Sequence, residues 1–479
     1  MRNALLNLTL ATVISLPAIA EVPVTAPAEQ SYIDQLSLSE RIEHHRAVEA
    51  MIWSMPLMNA ISMRDALAEQ GVGFNTVAYH SEVQTWKEKF TTNNNTSPYA
   101  YLFWDLSNGP IVVDMPGTHK GIPFIGTWID QWHRPMEVFG PSGFDDGLGG
   151  KYIFLPPGYD GELPIGHIPV QSKTYGGYSL IRPIVPDFKP ETMANMVELV
   201  KKIKVYPLSE AANPPATKHV DIAGKSLNGL PPFDASYFTK LHEVLQEEKL
   251  EERDMVALGM LRELGIEKGK PFVMTKEKEK MFNEAAKDAH AFLIDEYLDH
   301  SASPTYEGKL WSNSVPDEGN IHMSRMTWQF PNYLSYNDRG AGYYAFYSSF
   351  IKLGSASYYL KTSRSTDGQR LNGSHDYTLT VPANVPVNKF WSVTAYANDD
   401  ATWFENQPKG GVDSASGQLQ QNADGTTTIY FGSKAPRGKE GNWVPTNEGR
   451  EYFLYFRFYG PKAAAYGPEW QLNDVVKVK

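Results

Sequence analysis

The chain has 479 residues, a length that allows roughly three domains of ordinary size. Its formal charge of −11 at pH 7 argues against the basic surface with which proteins bind nucleic acid. Cysteine is absent, which excludes disulfide frameworks, cysteine-ligated zinc, iron–sulfur clusters and thiol nucleophiles together.

The first 20 residues have the pattern of a secretory signal peptide. Arg2 precedes an apolar run from Ala4 to Leu16, and residues 18–20 form the small-x-small ending that signal peptidase accepts. The run is shorter than the ~20 residues that cross a bilayer. The sequence therefore predicts cleavage near Ala20, a periplasmic or secreted mature chain, and no membrane span in that mature chain.

Residues 21–69 predict a loose leader followed by an N-terminal helix. Ser37 and Glu40 have the spacing of a capping box, in which each side chain bonds a free backbone N–H at the start of a helix. The apolar residues that follow have helical spacing, and Pro56 is expected to bend or end the helix.

Residues 70–205 have the pattern of an all-β sandwich. Gly and Pro turn signals separate apolar runs of strand length, at residues 111–113, 124–128, 152–155 and 178–181. The Pro-rich residues 206–235 then predict a linker.

Residues 236–304 are rich in charge and keep their apolar residues at helical spacing, so they predict a small helical module. From residue 305 to residue 479 the pattern is β-like again, with an alternating strand at 390–397 and a long aromatic strand at 451–460. The predicted fold is mainly β with a central helical module.

Several short motifs resemble a pair of bacterial families. Tyr101-Leu-Phe-Trp-Asp-Leu106 and Pro110-Ile-Val-Val113 resemble domain-of-unknown-function 1254. Leu371-Asn-Gly373, Phe390-Trp-Ser-Val-Thr-Ala-Tyr396 and Arg457-Phe-Tyr-Gly-Pro461 resemble domain-of-unknown-function 1214. The resemblance implies an N-terminal β-sandwich, a helical segment and a C-terminal jelly-roll-like β-domain. It implies no agreed activity and no catalytic residues.

A first candidate site lies in the predicted strand near residue 130. Strand alternation places Trp128, Asp130, Trp132 and Arg134 on one face. Indole rings stack on sugars and the charged groups orient hydroxyls, so this face suits a polyhydroxylated ligand. The alternative is an amphipathic sandwich strand that carries its own ion pair.

A second candidate site is the segment 333–344, where Tyr336, Asp338 and Arg339 precede two glycines in a predicted loop. Loops carry binding residues more often than cores do. Packing of the tyrosines between domains is the alternative.

A third candidate is Arg457, which alternation places on an aromatic face of the last long strand. A buried charge needs a partner, so Arg457 either pairs with a carboxylate such as Asp376 or Asp399 or binds an anionic ligand. Arg182, on the last strand of the first predicted sandwich, has the same two interpretations.

No cofactor and no metal site are predicted. The acidic pairs Asp145-Asp146 and Asp399-Asp400 lie in loops, where carboxylates and carbonyls can hold Ca²⁺. They lack the ordered spacing of a calcium loop, and turn formation is the alternative.

Two functions remain open. The first is an exported enzyme of hydrolase or lyase type that acts on a polyhydroxylated or anionic substrate, a small molecule or a glycan, between the β-domains. Asp130 paired with Asp105 or Asp338 would supply its acid–base chemistry. The second is a non-catalytic periplasmic protein that binds glycan or another protein. A homo-oligomer is compatible with both.

Overall fold

A computed structural model of the chain describes residues 31–300, 304–313, 326–347 and 357–478. The predicted signal peptide and the first part of the predicted leader lie outside the described residues. Contacts divide the chain into two units, Met1–Ile42 and Glu43–Lys479.

The helices begin with one long helix near the N-terminus. The described α-helices are α1 (Leu38–Ala68), α2 (Pro190–Val200), α3 (Ser236–Glu247), α4 (Met255–Glu263), α5 (Lys276–Asp295) and α6 (Tyr336–Ala345), and a π-helical turn (Glu296–His300) follows α5. The capping box is confirmed: the Ser37 N–H donates to the Glu40 carboxylate at 2.8 Å, and the Glu40 N–H donates to the Ser37 hydroxyl at 3.3 Å. None of the described helices is long and apolar enough to cross a membrane.

Helix α1 has neighbours on every side along its middle. Every residue from Ala50 to Ile61 is buried. The helix continues past Pro56, whose missing N–H leaves the Ile52 carbonyl without its usual helical partner. Gly340 of α6 packs against this carbonyl so closely that a Cβ at Gly340 would lie 2.6 Å from the oxygen.

The N-terminal strands form two main sheets that share one core. The strands are β1 (Val77–Tyr79), β2 (Glu88–Lys89), β3 (Ala100–Asp105), β4 (Ile111–Pro116), β5 (Phe124–Asp130), β6 (Pro135–Phe139), β7 (Gly149–Leu155), β8 (His167–Gln171), β9 (Gly176–Pro183), β10 (Lys204–Pro207), β11 (His219–Asp221) and β12 (Leu227–Asn228). The sheet orders are β11-β1-β3-β9-β5-β6 and β10-β4-β7-β8, and β2 pairs with β12. Apolar side chains from both larger sheets and from α2 meet in one cluster. The four predicted strands of this region are confirmed as β4, β5, β7 and β9.

The C-terminal strands also form two main sheets with a common core. The strands are β13 (Ser312–Asn313), β14 (Ser357–Thr362), β15 (Leu371–Asn372), β16 (Tyr377–Val381), β17 (Trp391–Ala397), β18 (Gly411–Asp413), β19 (Thr427–Gly432), β20 (Trp443–Pro445), β21 (Glu451–Tyr459) and β22 (Val476–Lys477). The sheet orders are β13-β14-β21-β17-β18 and β20-β19-β16-β22, with β15 also paired to β21. The predicted strands at 390–397 and 451–460 are confirmed as β17 and β21.

Strand β21 divides its side chains between two environments. Leu454 and Phe456 point into the core between the two C-terminal sheets. Phe453 and Tyr455 point to the other face, where they join a core made largely by α1, α3, α5 and α6. Arg457 has the same parity as Phe453 and Tyr455, so it lies on the face away from the C-terminal core.

The segments between the two strand-rich regions are part of the packed structure. In the predicted linker, β11 pairs in parallel with β1 and β12 with β2. In the predicted helical module, α3 and α5 pack in the same core as α1 and Tyr455. The chain is broadly β-rich as predicted, although helices (27%) and strands (26%) hold similar shares.

Gly340→Ala is expected to destabilise the protein by about 1–3 kcal/mol, because the added methyl group would overlap the backbone carbonyl of Ile52. Gly259→Ala is the matched control. Gly259 also lies inside a helix, α4, but no described atom is within 4 Å of a Cβ there, so this substitution is expected to stabilise by about 0.5–1 kcal/mol. Urea unfolding followed by circular dichroism measures both, and equal effects would contradict the close approach of α6 to α1.

Candidate functional site

The structure places Trp128 in the N-terminal core. The ring is completely buried, with its centroid 4.4 Å from that of Phe139 and 5.0 Å from that of Phe154. Trp132 lies in a different core, beside α1. The two indoles therefore do not form the single ligand-facing surface that strand alternation predicts.

The predicted alternation stops because β5 ends at Asp130 and a tight turn follows. Asp130 accepts hydrogen bonds from the N–H groups of Trp132 and Arg134, each at 2.9 Å. The Arg134 guanidinium bridges Asp130 and Glu251, and its two bonds to Glu251 are 2.7 and 2.8 Å long. The charged side chains of Asp130 and Arg134 thus stabilise the turn itself. This agrees with the alternative of a strand that carries its own ion pair.

Two of the candidate residues, Trp132 and Arg339, meet at Trp53. The Trp132 ring packs on Trp53 with centroids 4.8 Å apart, and the Arg339 guanidinium lies 5.7 Å from the Trp132 ring and donates to the Trp53 carbonyl at 2.9 Å. Arg134 is hydrogen-bonded to Glu251, which lines the cavity beside Trp53. The cavity beside Trp53 is only about 10 Å³, which is room for one water molecule at most.

Tyr336, Asp338 and Arg339 lie in helix α6, and the prediction of a loop is wrong. The glycines of this segment allow close packing, as at Gly340. The Tyr336 hydroxyl donates to the Glu49 carboxylate at 2.5 Å, and Asp338 accepts a bond from a serine hydroxyl at the start of the helix. These contacts join half-buried side chains to one another.

Asp130 and Asp105 do not form a carboxylate pair. Asp105 lies opposite Gly176 in the register of β9, and Asp130 lies opposite Gly177 on the other side of that strand. Consecutive residues of a strand point to opposite faces, so the two aspartates lie on opposite faces of the sheet. Asp338 lies in α6, outside this sheet altogether.

Arg182 and Arg457, by contrast, come together at Tyr359. Arg182 lies on β9, Arg457 on β21, and Tyr359 lies directly opposite Arg457 on β14. The Arg457 Cζ is 5.1 Å from the centroid of the Tyr359 ring, and the Tyr359 side chain is hydrogen-bonded to Arg182. Arg182 and Tyr359 are half-buried, whereas Arg457 is only 2% exposed.

Tyrosine hydroxyls surround the two guanidinium groups. Arg182 Nη2 donates to the Tyr99 hydroxyl at 2.8 Å, and Arg457 Nη2 donates to the Tyr396 hydroxyl at 2.7 Å. We call this group of side chains the arginine–tyrosine cluster: Arg182, Arg457, Tyr99, Tyr359, Tyr396 and Tyr459.

The polar segment 91–97 lines one side of the arginine–tyrosine cluster. The Asn94 amide donates to the Tyr459 hydroxyl at 2.8 Å, and the Thr96 hydroxyl shares a hydrogen bond with the same oxygen at 2.8 Å. The Thr92 carbonyl accepts from Arg457 at 3.3 Å. Thr92 has a φ of 45°, a strained value for a β-branched residue, so the segment is held in an unfavourable conformation where it meets Arg457.

The two arginines of the cluster have no acidic partner among the residues that the structure describes. Among the described residues, no Asp or Glu lies within ion-pair distance of Arg182 or Arg457. Asp376 and Asp399, the partners suggested by the sequence, do not pair with Arg457, and Asp399 pairs with Arg450 instead. A buried cation without a counter-ion is costly, and hydroxyl groups compensate it only in part.

The two arginines change the acidity of one tyrosine. Burial raises the pKa of Tyr359, but the adjacent charges of Arg182 and Arg457 outweigh burial and lower this pKa to about 8. Burial raises the pKa of Tyr459 to about 12. Tyr359 therefore loses its proton first, and the cluster can both bind an anion and accept a proton at the Tyr359 oxygen.

Sequence reasoning singled out Arg182 and Arg457 but not Tyr359 or segment 91–97. The only signal for Tyr359 is alternation in β14, which places it on one face with Lys361. Alternation does not indicate which strand will pair with β14, so the meeting of Tyr359 with Arg457 could not be predicted.

The described residues contain no group of three or more His, Asp and Glu side chains arranged to hold a metal ion. The two acidic pairs proposed as calcium ligands make other contacts. Asp145 accepts from the Gly140 N–H at 2.6 Å, and Asp399 and Asp400 both pair with Arg450.

Two openings that are larger than the cavity beside Trp53 are lined by residues outside the arginine–tyrosine cluster. In the first, of about 820 Å³, Arg364 and Arg370 both pair with Asp299. In the second, of about 510 Å³, Arg64 pairs with Glu247. The arginines of both openings have carboxylate partners, unlike those of the arginine–tyrosine cluster.

Comparison with solved structures reveals two proteins of similar extent. The VPA0106 protein from Vibrio parahaemolyticus is 20% identical with a TM-score of 0.54, covering 91% of this chain and 100% of its own. An uncharacterized protein from Burkholderia cenocepacia is 14% identical with a TM-score of 0.41, covering 92% and 98%. At 20% identity the first likeness bears on the fold alone. No curated protein matches the chain.

Two family matches divide the arginine–tyrosine cluster between them. Residues 74–207 match the family described as "Protein of unknown function (DUF1254)", and residues 356–463 match "Protein of unknown function (DUF1214)". Arg182 lies in the first segment, and Tyr359 and Arg457 lie in the second. The chain belongs to the family of proteins in which a DUF1254 domain is followed by a DUF1214 domain.

Proposed function

We propose that this protein binds a ligand that bears a carboxylate at the arginine–tyrosine cluster and acts on it as an enzyme of lyase type. One observation carries the proposal: Arg182 and Arg457, one from each matched domain, meet at the same tyrosine without any described acidic partner. A ligand carboxylate is the missing counter-ion. Arg182 and Tyr359 are half-buried, so each residue keeps part of its surface in contact with solvent.

The two arginines would bind the carboxylate and make the ligand more acidic. Guanidinium groups form short, charge-assisted hydrogen bonds with carboxylates, often two at a time. When the carboxylate charge is neutralised, a proton on the neighbouring carbon becomes easier to remove, because the negative charge that develops is stabilised by the same arginines.

Tyr359 is the proposed proton acceptor. Its pKa of about 8 makes a phenolate available near neutral pH, as a general base requires. The phenolate takes the proton from the carbon beside the carboxylate, and the released electron pair forms a carbon–carbon double bond. The leaving group on the next carbon departs with its bonding electrons and takes a proton from water. The hydroxide that this forms takes the proton from Tyr359, which restores the phenolate and the water molecule.

The same proposal includes compartment and finer architecture. We propose an exported protein, in agreement with the signal-peptide pattern of the first 20 residues. We further propose that the N-terminal sheets form a β-sandwich and that the C-terminal sheets form a jelly-roll-like domain. The shared core within each pair of sheets supports both assignments.

Arg182→Gln is expected to weaken binding of galacturonate, glucuronate and mannuronate by about tenfold or more, because it removes a charge-assisted bond to the carboxylate. Isothermal titration calorimetry measures the affinities. Arg262→Gln is the matched control, since Arg262 is an exposed arginine already paired with Glu267. Arg182→Lys keeps the positive charge but removes the paired N–H donors of the guanidinium group. We expect it to lower the affinity by an intermediate amount. Binding that is unchanged in Arg182→Gln would contradict the proposed site.

Elimination itself is detected by the ultraviolet absorbance of the conjugated double bond in the product. Oligomers of the same uronates are incubated with the wild-type protein and with Tyr359→Phe. Product from the wild type and none from a folded Tyr359→Phe variant supports catalysis. Uronate binding without product from either protein would refute the lyase assignment and leave the non-catalytic glycan-binding alternative.

A pH titration of tyrosinate absorbance is expected to include one tyrosine that ionises near pH 8, well below the ordinary range near 10. Tyr359→Phe should remove this step, whereas Tyr333→Phe, at a tyrosine that is 60% exposed, should leave it unchanged. The pKa is depressed in the folded state, so this group contributes stability above pH ~10 that is lost as the pH falls through about 8. Arg182→Gln should move the step to higher pH, and a step that stays in place would argue against the contact.

A further inference from the structure

The sheet that contains β14, β17 and β21 continues beyond the position of Arg457. In the strand register, Arg457 lies between Ser392 and Tyr359. Two residues further along β21, Tyr459 lies opposite Ser357 of β14 and bonds the Phe390 carbonyl before β17. Positions two apart on a strand share a face, so this second row lies on the same face, about 7 Å from the first.

The second row offers an aromatic surface. The Phe390 ring stacks on the Tyr459 ring, with centroids 4.1 Å apart and an angle of 20° between the planes. Phe390 and Ser357 are half-buried, whereas Arg457 in the first row is buried, so exposure increases toward the end of the sheet. Aromatic rings at such an edge are suited to stacking against a sugar ring.

A third cation lies at this edge. Lys389 is an exposed residue that directly precedes Phe390. The Lys389 backbone N–H donates to the Tyr459 carbonyl at 3.2 Å. Partial burial of its ammonium group and the like charge of Arg182 lower the pKa of Lys389. No described Asp or Glu lies within ion-pair distance of Lys389, so a third positive charge without a described acidic partner lies next to Tyr459 of the arginine–tyrosine cluster.

We propose that Lys389 and Phe390 form a second subsite for the next unit of an acidic oligosaccharide. The inference rests on the proposed function and extends it: the substrate is a chain of uronate units and not a single carboxylic acid. One unit places its carboxylate at Arg182 and Arg457. The adjacent unit stacks on Phe390 and places its own carboxylate at Lys389.

The test compares monomers with trimers of galacturonate and mannuronate by isothermal titration calorimetry. Wild-type protein is expected to bind one of the trimers at least tenfold more tightly than its monomer. Lys389→Gln should weaken binding of that trimer by about tenfold and change monomer binding by less than twofold, because the monomer does not reach the subsite. Phe390→Leu should weaken the trimer severalfold through loss of stacking.

Lys434→Gln is the matched control, at an exposed lysine after β19 in the other C-terminal sheet, and should leave both affinities unchanged. Equal binding of monomer and trimer by the wild type, or equal losses for both ligands in Lys389→Gln, would overturn the second subsite. In either case the Arg182 dependence of monomer binding would persist. A failure of the proposed function instead removes that dependence, so the two failures are distinguishable.

Discussion

The placement of two guanidinium groups, one buried and one half-buried, without a described carboxylate is the constraint on which the rest of the site depends. Arg457 is only 2% exposed, and the partners it has are a threonine hydroxyl, a tyrosine hydroxyl and a backbone carbonyl. These dipoles replace part of its hydration but supply no opposite charge. The surrounding architecture therefore has to hold dipoles in fixed positions around the guanidinium groups, and it uses both matched domains to do so.

The helical core contributes by fixing β21 from the face opposite the C-terminal core. Phe453 and Tyr455 pack among the helices, and the Tyr455 hydroxyl is hydrogen-bonded to that of Tyr297 in the π-helical turn. The same core depends on the contact between Gly340 and the carbonyl that Pro56 leaves free. A proline in α1 and a glycine in α6 are thus linked to the position of the strand that carries Arg457.

The sequence predicts structural elements well where the signal lies in neighbouring residues. It does not predict which strands pair with each other. Turn signals and alternation located β4, β17 and β21, and the capping box at Ser37 was correct because it involves residues only three apart. Alternation failed at Asp130, where a side chain that accepts three hydrogen bonds from its own turn ends the strand. It also could not indicate that β14 pairs with β21, and that pairing is what brings Tyr359 to Arg457.

The charge on Tyr359 decides what the cluster can do without a ligand. With a pKa of about 8, roughly one tenth of Tyr359 is ionised at pH 7, so the phenolate compensates the two arginines only slightly. The proposed ligand carboxylate, fully ionised at this pH, would supply the negative charge that Tyr359 does not. Its arrival would also raise the pKa of Tyr359, because it would neutralise the cations that lowered it. Binding of the carboxylate and ionisation of Tyr359 therefore oppose each other. In the proposed reaction the arginines would keep the carboxylate neutralised while the neighbouring carbon loses its proton. This arrangement would allow both carboxylate binding and proton transfer to Tyr359.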